Sequence, residues 1–437
     1  MNSPNILYLH SHDTGRYIQP YGYAIPTPNL QRLAEEGICF RQAFTVSPTC
    51  SPSRAALLTG QYPHECGMWG LSHACEIEKG LAVHFSLNDY SKHLIHTLRQ
   101  AGYFTALSGI QHIDGPFFDL SRYASRIGYD AVLTRDDKRH IWDHRRVCER
   151  AVEFLREPPR QPWFLSVGFH ETHTEFGEPR SGTAEDPRYC RPPDPIPDTP
   201  ETRRDMAAFK ASARALDQQI GSILDALRRS GAETNTLVIA TTDHGIPFPR
   251  MKCNLTDAGT GVFLIIKGAA PFSGGRALDP MVTHLDLFPT ICDYLQIAAP
   301  SWLRGKSLLP LLSGEVDRLH EELFSEVNFH EKYEPERAVR TERWKYIRHY
   351  SDEAQSCDKT ETRNLYRDRG WERHAPQEQL FDLFFVPHEA NNLAGTSAVA
   401  AIQQDLQVRL QQWMSATGDP LLRGSLLDQL QPSQLRS

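Results

Sequence analysis

No apolar run in the sequence approaches the ~20 residues that cross a bilayer, which excludes a membrane-spanning helix from the reading. The chain starts Met1-Asn2-Ser3-Pro4 and enters a short apolar stretch, Ile6 to Leu9, with no basic start, no adequate length and no small-residue cleavage site. Those are the marks of a secretory leader. The expectation is a cytoplasmic protein, with the periplasm as the alternative if a leader has been trimmed. Paired CxxC spacings are missing as well: the nine cysteines, at 39, 50, 66, 75, 148, 190, 253, 292 and 357, form no framework. A scattered odd count suits thiols in a reducing compartment. Positive charge is scarce, with 47 Lys and Arg against 54 Asp and Glu, a net charge of −7. That argues against a nucleic-acid partner, while a local basic pocket for an anion stays open. Heptads, internal repeats and biased tracts are also lacking.

What remains is a long chain of ordinary composition. Its 437 residues, 40% hydrophobic and 23% charged, suit one large domain plus a smaller one. Asn5–His10 reads as a buried strand ending in the polar cluster Ser11 to Gly15. Thr27-Pro28 opens a helix to about Glu36, closed by Gly37. Leu87–Gln100 has a helical period, followed by a strand near Phe104–Leu107. Arg146–Leu155 reads as helix, Trp163–Phe169 as strand, Met206–Arg229 as helix, and Thr236–Thr241 and Val262–Ile266 as strands. Such alternation predicts an α/β fold with a large, mostly parallel sheet flanked by helices. Ligands of such sheets bind beyond the carboxyl ends of the strands. Three polar clusters fall there: His12-Asp13, His170 to His173, and Asp243-His244. The Pro-rich stretch between His173 and Glu201 reads either as a wall of the substrate pocket or as a surface loop. Past Leu308-Leu309-Pro310 the texture changes. Glu321–Glu326, Arg337–Arg348 and Gln379–Phe384 read as short strands, and Ala398–Met414 as a last helix. The expected division is residues 1–315 for the α/β domain and 316–437 for a C-terminal α+β subdomain with a short antiparallel sheet and terminal helix.

The most informative segment runs Pro48-Thr49-Cys50-Ser51-Pro52-Ser53-Arg54-Ala55-Ala56-Leu57-Leu58-Thr59-Gly60. It resembles the type I sulfatases, whose signature C-x-P-S-R-x-x-L-L-T-G is matched at every fixed position. The stretch Asp243 to Pro249 is similar to the heparan N-sulfatase (sulfamidase) branch, and Leu380 to Leu383 and Glu389 to Leu393 resemble the family's C-terminal pattern. The resemblance implies an alkaline-phosphatase-like fold and a formylglycine made from Cys50 by a formylglycine-generating maturation enzyme. It also implies a bound divalent metal, calcium by family, and a small-molecule or saccharide sulfate ester as substrate. An aldehyde hydrate carries two hydroxyls on one carbon: one attacks sulfur, and the other later expels sulfate as the aldehyde re-forms. Cys50 falls at a helix N-terminus, which favours an anion, and Arg54 one turn on can hold developing charge.

Against the family pattern, two oxygen ligands are replaced by imidazoles. The expected metal set is His12, Asp13, Cys50, Asp243 and His244, with His12 either a ligand or a partner of the carboxylates. Calcium prefers oxygen; two imidazoles would move the preference to manganese, zinc or iron. In Gly102 to His112 the family's lysine position holds Ile110, so His12 or Lys252 would supply the missing charge. The resemblance assigns His173 as the acid for the leaving group, His112 as a second proton-handling residue, and Lys252 as a sulfate contact. The catalytic set is thus Cys50, Arg54, His112, His173 and Lys252. Ile110 and His244 also fit the alternative, a phosphonate monoester or phosphodiester hydrolase using the same modified cysteine. A binding protein without turnover is the rival from another class, and the intact Cys-Ser-Pro-Ser-Arg core argues against it.

Overall fold

The structure, a computed structural model, describes residues 3–73, 75–78, 81–114, 126–134, 144–174, 176, 185–351, 360–371 and 376–436. Eight strands build the main sheet. In chain order they are β1 (Asn5–Ser11), β2 (Ile38–Phe40), β3 (Phe104–Gly109), β4 (Ala131–Val132), β5 (Trp163–Gly168), β6 (Thr236–Thr242), β7 (Leu264–Lys267) and β8 (Arg276–Leu278). Their spatial order is β8-β2-β7-β6-β1-β5-β3-β4. Only β7 runs against its neighbours; the other pairings are parallel.

Alternation along β1 explains the layering. Ile6 and Tyr8 face a core shared with Leu57 and Leu58, Leu94 to Leu98, and Leu287 to Ile291. Leu7 and Leu9 face the opposite core, with Leu30 and Leu33, Val147 to Leu155, and Leu216 to Leu227. The helices on the first face are α2 (Cys50–Thr59), α3 (Leu94–Gln100) and α6 (Leu287–Tyr294); those on the second are α1 (Pro28–Glu36), α4 (His144–Arg156) and α5 (Pro200–Arg229). Both faces of a parallel sheet must be covered, and here they are.

In the α/β layer three elements depart most from their expected bounds, each for a local reason. Leu87–Gln100 divides into a 3-10 turn, Tyr90–Lys92, and α3. Asp89 accepts from the Ser91 N–H at 2.9 Å and His93 Nδ1 from the Ile95 N–H at 3.2 Å, so two caps restart the helix inside the apolar window. Helix α5 begins earlier than Met206, at Pro200, because Thr199 caps it through the Thr202 N–H. Val262–Ile266 splits: Gly261–Val262 pairs with Ala43-Phe44 in a small sheet, β7 joins the large one, and the Phe263 N–H between them donates to the Gly15 carbonyl.

The C-terminal region adds a four-stranded antiparallel sheet, β9 (Glu322–Phe329), β10 (Tyr333–Thr341), β11 (Trp344–His349) and β12 (Glu378–Asp382), with helix α7 (Ala400–Thr417). The expected strand Arg337–Arg348 is a hairpin, since β10 and β11 pair across Glu342-Arg343. Val339, Tyr346 and Leu380 face α7, while Ala338, Ile347 and Phe381 face Leu255 of the larger layer. Asn392 ties β12 down by accepting from the Leu380 N–H at 2.9 Å. Glu389 accepts from the Asp257 N–H and pairs with Lys345 at 3.1 Å. The two layers are also pinned by a buried quartet. Arg337 lies bidentate on Asp419, and His64 meets Glu326 at 2.6 Å.

Among the described residues no helix is long and apolar enough to cross a membrane. Cys39, Cys50, Cys66, Cys148, Cys190, Cys253 and Cys292 are thiols rather than disulfides.

Candidate active site

Four adjacent parallel strands end together, since His10 lies opposite Gly168 and Thr241, and Gly109 opposite Gly168. The loops that leave them carry His12-Asp13, Asp243-His244, His170 to His173, and His112. Helix α2 points its first residue, Cys50, at the same place, and the loop after His244 returns Lys252 to it. Asp13, His112 and Cys253 have φ of 57°, 58° and 66°. Left-handed backbone at residues other than glycine costs about 1–3 kcal/mol each and gathers at functional sites.

Asp243 is held through one oxygen and presents the other, while both oxygens of Asp13 meet side chains. Asp243 Oδ1 accepts from the backbone N–H of Asp13 at 2.8 Å and of His244 at 2.9 Å. Its Oδ2 meets Arg54 Nη2 at 2.8 Å and His12 Nδ1 at 3.2 Å. Asp13 places Oδ1 2.6 Å from His12 Nδ1 and 3.2 Å from His244 Nε2, and Oδ2 2.8 Å from Lys252 Nζ. Burial would raise both carboxyls. Lys252 followed by His173 and His12 at Asp13, and His12, His244 and Arg54 at Asp243, outweigh it and hold both below the usual carboxylate range.

These residues fit a divalent metal ion. One ligand atom from each of His12, Asp13, Cys50, Asp243 and His244 lies within 4.8 Å of every other, and all five residues are buried. The His244 Nδ1–H donates to the Gly245 carbonyl at 3.0 Å, which leaves the Nε2 lone pair directed inward, 3.4 Å from Cys50 Sγ. A backbone carbonyl that fixes the tautomer of a ligating imidazole is a recurrent feature of metal sites. Burial pushes His12 down to about 4, against the pull of Asp243 and Asp13. The ring is therefore neutral near pH 7, able to offer Nδ1 as a ligand and unable to supply positive charge. Its Nε2 lies 3.4 Å from His112 Nδ1. The charge comes from Lys252, fully buried between Asp13 and His173, whose Nε2 is 3.2 Å from Nζ. The His173 Nδ1–H donates to the Thr174 carbonyl, so Nε2 is the atom left to exchange a proton.

A second cluster with ligand-like spacing, His64, Glu326 and Asp419, already holds a cation. The Arg337 guanidinium is bidentate on Asp419 and 3.6 Å from Glu326, so that cluster is a structural ion network.

Every residue expected in the site is brought to it. Two neighbours, His10 and His73, were not assigned a role from sequence, and a third, His170, was expected to be structural or substrate-facing. The His10 imidazole accepts from Arg54 Nη1. His73 stacks on His112 with ring centres 5.6 Å apart and planes 7° apart. His170 lies 5.0 Å from the His173 ring and 6.0 Å from the His12 ring. The signal for His10 was alternation, since it follows Ile6 and Tyr8 on one face of β1; His73 had none, lying outside every periodic segment. Ile110 is buried just past β3, its N–H donating to the Gly168 carbonyl. Of the Pro-rich stretch, residues 175 and 177–184 lie outside the described residues. Its later half packs Cys190 and Ile196 against Met206, Phe209 and Phe248.

Comparison with known proteins agrees with this geometry. The family model described as Sulfatase matches residues 4–297, and the one described as N-sulphoglucosamine sulphohydrolase, C-terminal, matches residues 252–374. The human N-sulphoglucosamine sulphohydrolase is 30% identical over 473 aligned positions, covering 95% of this chain and 91% of its own. Among solved structures, a 2-O glycosaminoglycan sulfatase superposes with a TM-score of 0.74 at 22% identity, covering 97% of this chain and 94% of that one. The phosphonate monoester hydrolase of Silicibacter pomeroyi reaches 0.71 at 18% identity, covering 95% and 96%. At those identities the two structures speak for the fold alone. The match along the chain, the helix that presents Cys50 and the carboxylate pair it faces lead to one conclusion: the chain belongs to the sulfatase family and is a sulfuric ester hydrolase.

Proposed function

We propose that the protein hydrolyses a saccharide sulfate ester or sulfamate through a formylglycine made from Cys50 by a maturation enzyme. The observation that carries this is the seat of Cys50: first residue of α2, buried, and 3.4 Å from His244 Nε2 within the two-Asp, two-His cluster. The saccharide is suggested by what the human relative is named for. His12, Asp13, Asp243 and His244 would hold the metal, with residue 50 completing the set. When bound, that ion polarises the sulfate oxygens as a Lewis acid. Two imidazoles among four protein ligands favour manganese, zinc or iron over the calcium that resemblance implies.

One hydroxyl of the hydrated residue 50 gives its proton to the Asp243 carboxylate, within 4.8 Å of residue 50, and forms a bond to sulfur, while the bond from sulfur to the leaving oxygen or nitrogen breaks. His173 Nε2 hands its proton to that leaving atom. Arg54 and Lys252 balance the charge on the transferred group. The second hydroxyl then loses its proton, with His112 as the acceptor nearby, the carbon–oxygen double bond re-forms, and sulfate departs. Ile110 and His244 favour a second reading, hydrolysis of a phosphonate monoester or phosphodiester by the same residues. We also propose the division at residue 316, supported by the change there from parallel to antiparallel pairing.

The test joins intact-mass analysis of residue 50 to a panel of aryl sulfates, sulfated and N-sulfated sugars, phosphodiesters and phosphonate monoesters. Cys50→Ala and Cys50→Ser should both fold and both lose turnover, because serine can be sulfated but has no aldehyde to return to. Turnover by Cys50→Ala comparable to the parent would sink the proposal, and a phosphonate or phosphodiester preference would select the second reading.

A further inference from the structure

Arg54 is the only guanidinium that touches the cluster among the described residues, and its orientation is set by three partners. Nη2 donates to the Ser11 carbonyl at 2.9 Å and to Asp243 Oδ2 at 2.8 Å. Nη1 donates to His10 Nδ1. Arg54 Nε is buried without a hydrogen-bond partner, which leaves an N–H to spend on an anion.

His10 is built into a socket. Arginine can only donate, so His10 Nδ1 must accept and its proton must sit on Nε2. That Nε2–H reaches Ser166 Oγ at 3.1 Å on the neighbouring strand. The Tyr8 ring stacks on the imidazole at 4.6 Å and 26°. Room for the ring comes from Gly168, where an added Cβ would fall 2.5 Å from His10 Cε1. A strand residue is thus fixed in tautomer, plane and position, with 4% of its surface exposed, and its one acceptor atom is turned to Arg54.

We propose that His10 is a positioning residue that orients Arg54 for the transferred sulfuryl group. It acts on one guanidinium nitrogen so that the others keep their aim between Asp243 and the incoming anion. The inference rests on the reading that Arg54 holds that anion.

The experiment compares His10→Leu, His10→Asn, His10→Gln, Arg54→Ala and the double variant in the metal-loaded enzyme. Three quantities are read: kcat and KM on the best sulfate ester of the panel, and the shift in unfolding temperature produced by inorganic sulfate. Asparagine can set its oxygen where Nδ1 sits, whereas glutamine reaches only the Nε2 position. His10→Asn should therefore stay within about threefold of the parent. His10→Leu and His10→Gln should lose about 10–10²-fold, mainly in kcat, the usual cost of removing a group that orients a functional residue. Their sulfate-induced shift should shrink as well. Adding His10→Leu to Arg54→Ala should shrink that shift no further. A packing role would rank glutamine and leucine above the smaller asparagine; that order, or an undiminished effect in the Arg54→Ala background, overturns the proposal. Undiminished turnover by Arg54→Ala would overturn the reading of Arg54 and this inference with it, a result distinct from failure of His10 alone.

Discussion

The quartet that joins the two layers makes a stability prediction with a pH signature. Arg337 is fully buried, Asp419 is 1% exposed and Glu326 is fully buried, so water cannot compensate a lost partner. Arg337 gives Asp419 two N–H donors, with Nη2 to Oδ1 at 2.9 Å, and keeps Glu326 at 3.6 Å. Removing one member of a buried pair costs about 3–5 kcal/mol, because the other charge stays buried. In Asp419→Asn the amide oxygen retains one of the two contacts and Glu326 remains near, so the lower figure, about 3 kcal/mol, is expected. His64 supplies the pH dependence. Burial lowers its pKa, but Glu326 outweighs this and raises it above the ordinary 6.5. A raised folded pKa gives stability that is fully present below 6.5 and lost as pH rises through the folded value. Asp419 has the opposite sign. Burial would raise it, Arg337 outweighs burial and holds it below 3.8, and its contribution persists above 3.8. The deficit of His64→Gln should therefore be larger at pH 6 than at pH 9, while that of Asp419→Asn should vary less between them, since Asp419 raises His64 only after Glu326. Trp413, edge-on to His64 at 5.6 Å, offers a fluorescence reporter for urea unfolding. A His64→Gln deficit equal at the two pH values would refute the charged pair, and an Asp419→Asn cost below 1 kcal/mol would refute the magnitude.

Lys252→Ala should fold and lose about 10²–10³ in kcat/KM, the usual cost of a charged contact to a transition state. Lys252→Arg should not restore it, since the fully buried ammonium sits within 3.2 Å of two groups and leaves no room for a larger fork; steady-state kinetics checks both. His244→Asn should shift the metal preference from manganese or zinc toward calcium. Competitive metal loading read by elemental analysis would contradict this if the parent protein already carried stoichiometric calcium.

The alternating strands and helices were legible because three of the four strands that end at the site, β1, β5 and β6, are largely apolar runs with both faces buried. The polar residues that follow those runs were legible for the same reason. In two places where the reading slipped, a short-range polar group had overridden an apolar period. His93 capping α3 from within the apolar window is one case, and Thr199 opening α5 ahead of it is another. His10 shows a different limit. It stands in an apolar strand at a position that alternation marks as core, and only the third dimension reveals Arg54 beside it. Glu389 and Asn392 were visible as a pattern without a reason. In the fold they hold the Asp257 N–H and the end of β12, contacts that no spacing along the chain could announce.

Ile110 decides between the readings of the site by charge. With a divalent ion bound, Asp13 and Asp243 would cancel its two positive charges and the ionised hydroxyl of residue 50 would cancel one of Arg54 and Lys252, which leaves one positive charge for the substrate. A sulfate monoester brings one negative charge and a phosphate monoester nearly two at pH 7. Such a pocket should accept singly charged groups and turn over phosphate monoesters poorly. Ile110→Lys would add one charge at the end of β3, beside Gly168. At about 5 Å and an effective dielectric of about 20, one charge interacts with another by about 3 kcal/mol. The two substrates differ by one charge, so the ratio of phosphate monoester to sulfate ester turnover should rise by up to ~10² in the variant. Screening by the buried carboxylates will reduce this, but a change of tenfold remains easy to measure in parallel kcat/KM determinations. An unchanged ratio would show that residue 110 does not face the transferred group. A parent enzyme that preferred phosphate monoesters to every sulfate ester offered would overturn the charge argument itself, because the same four charged side chains would then be serving a dianion without the lysine.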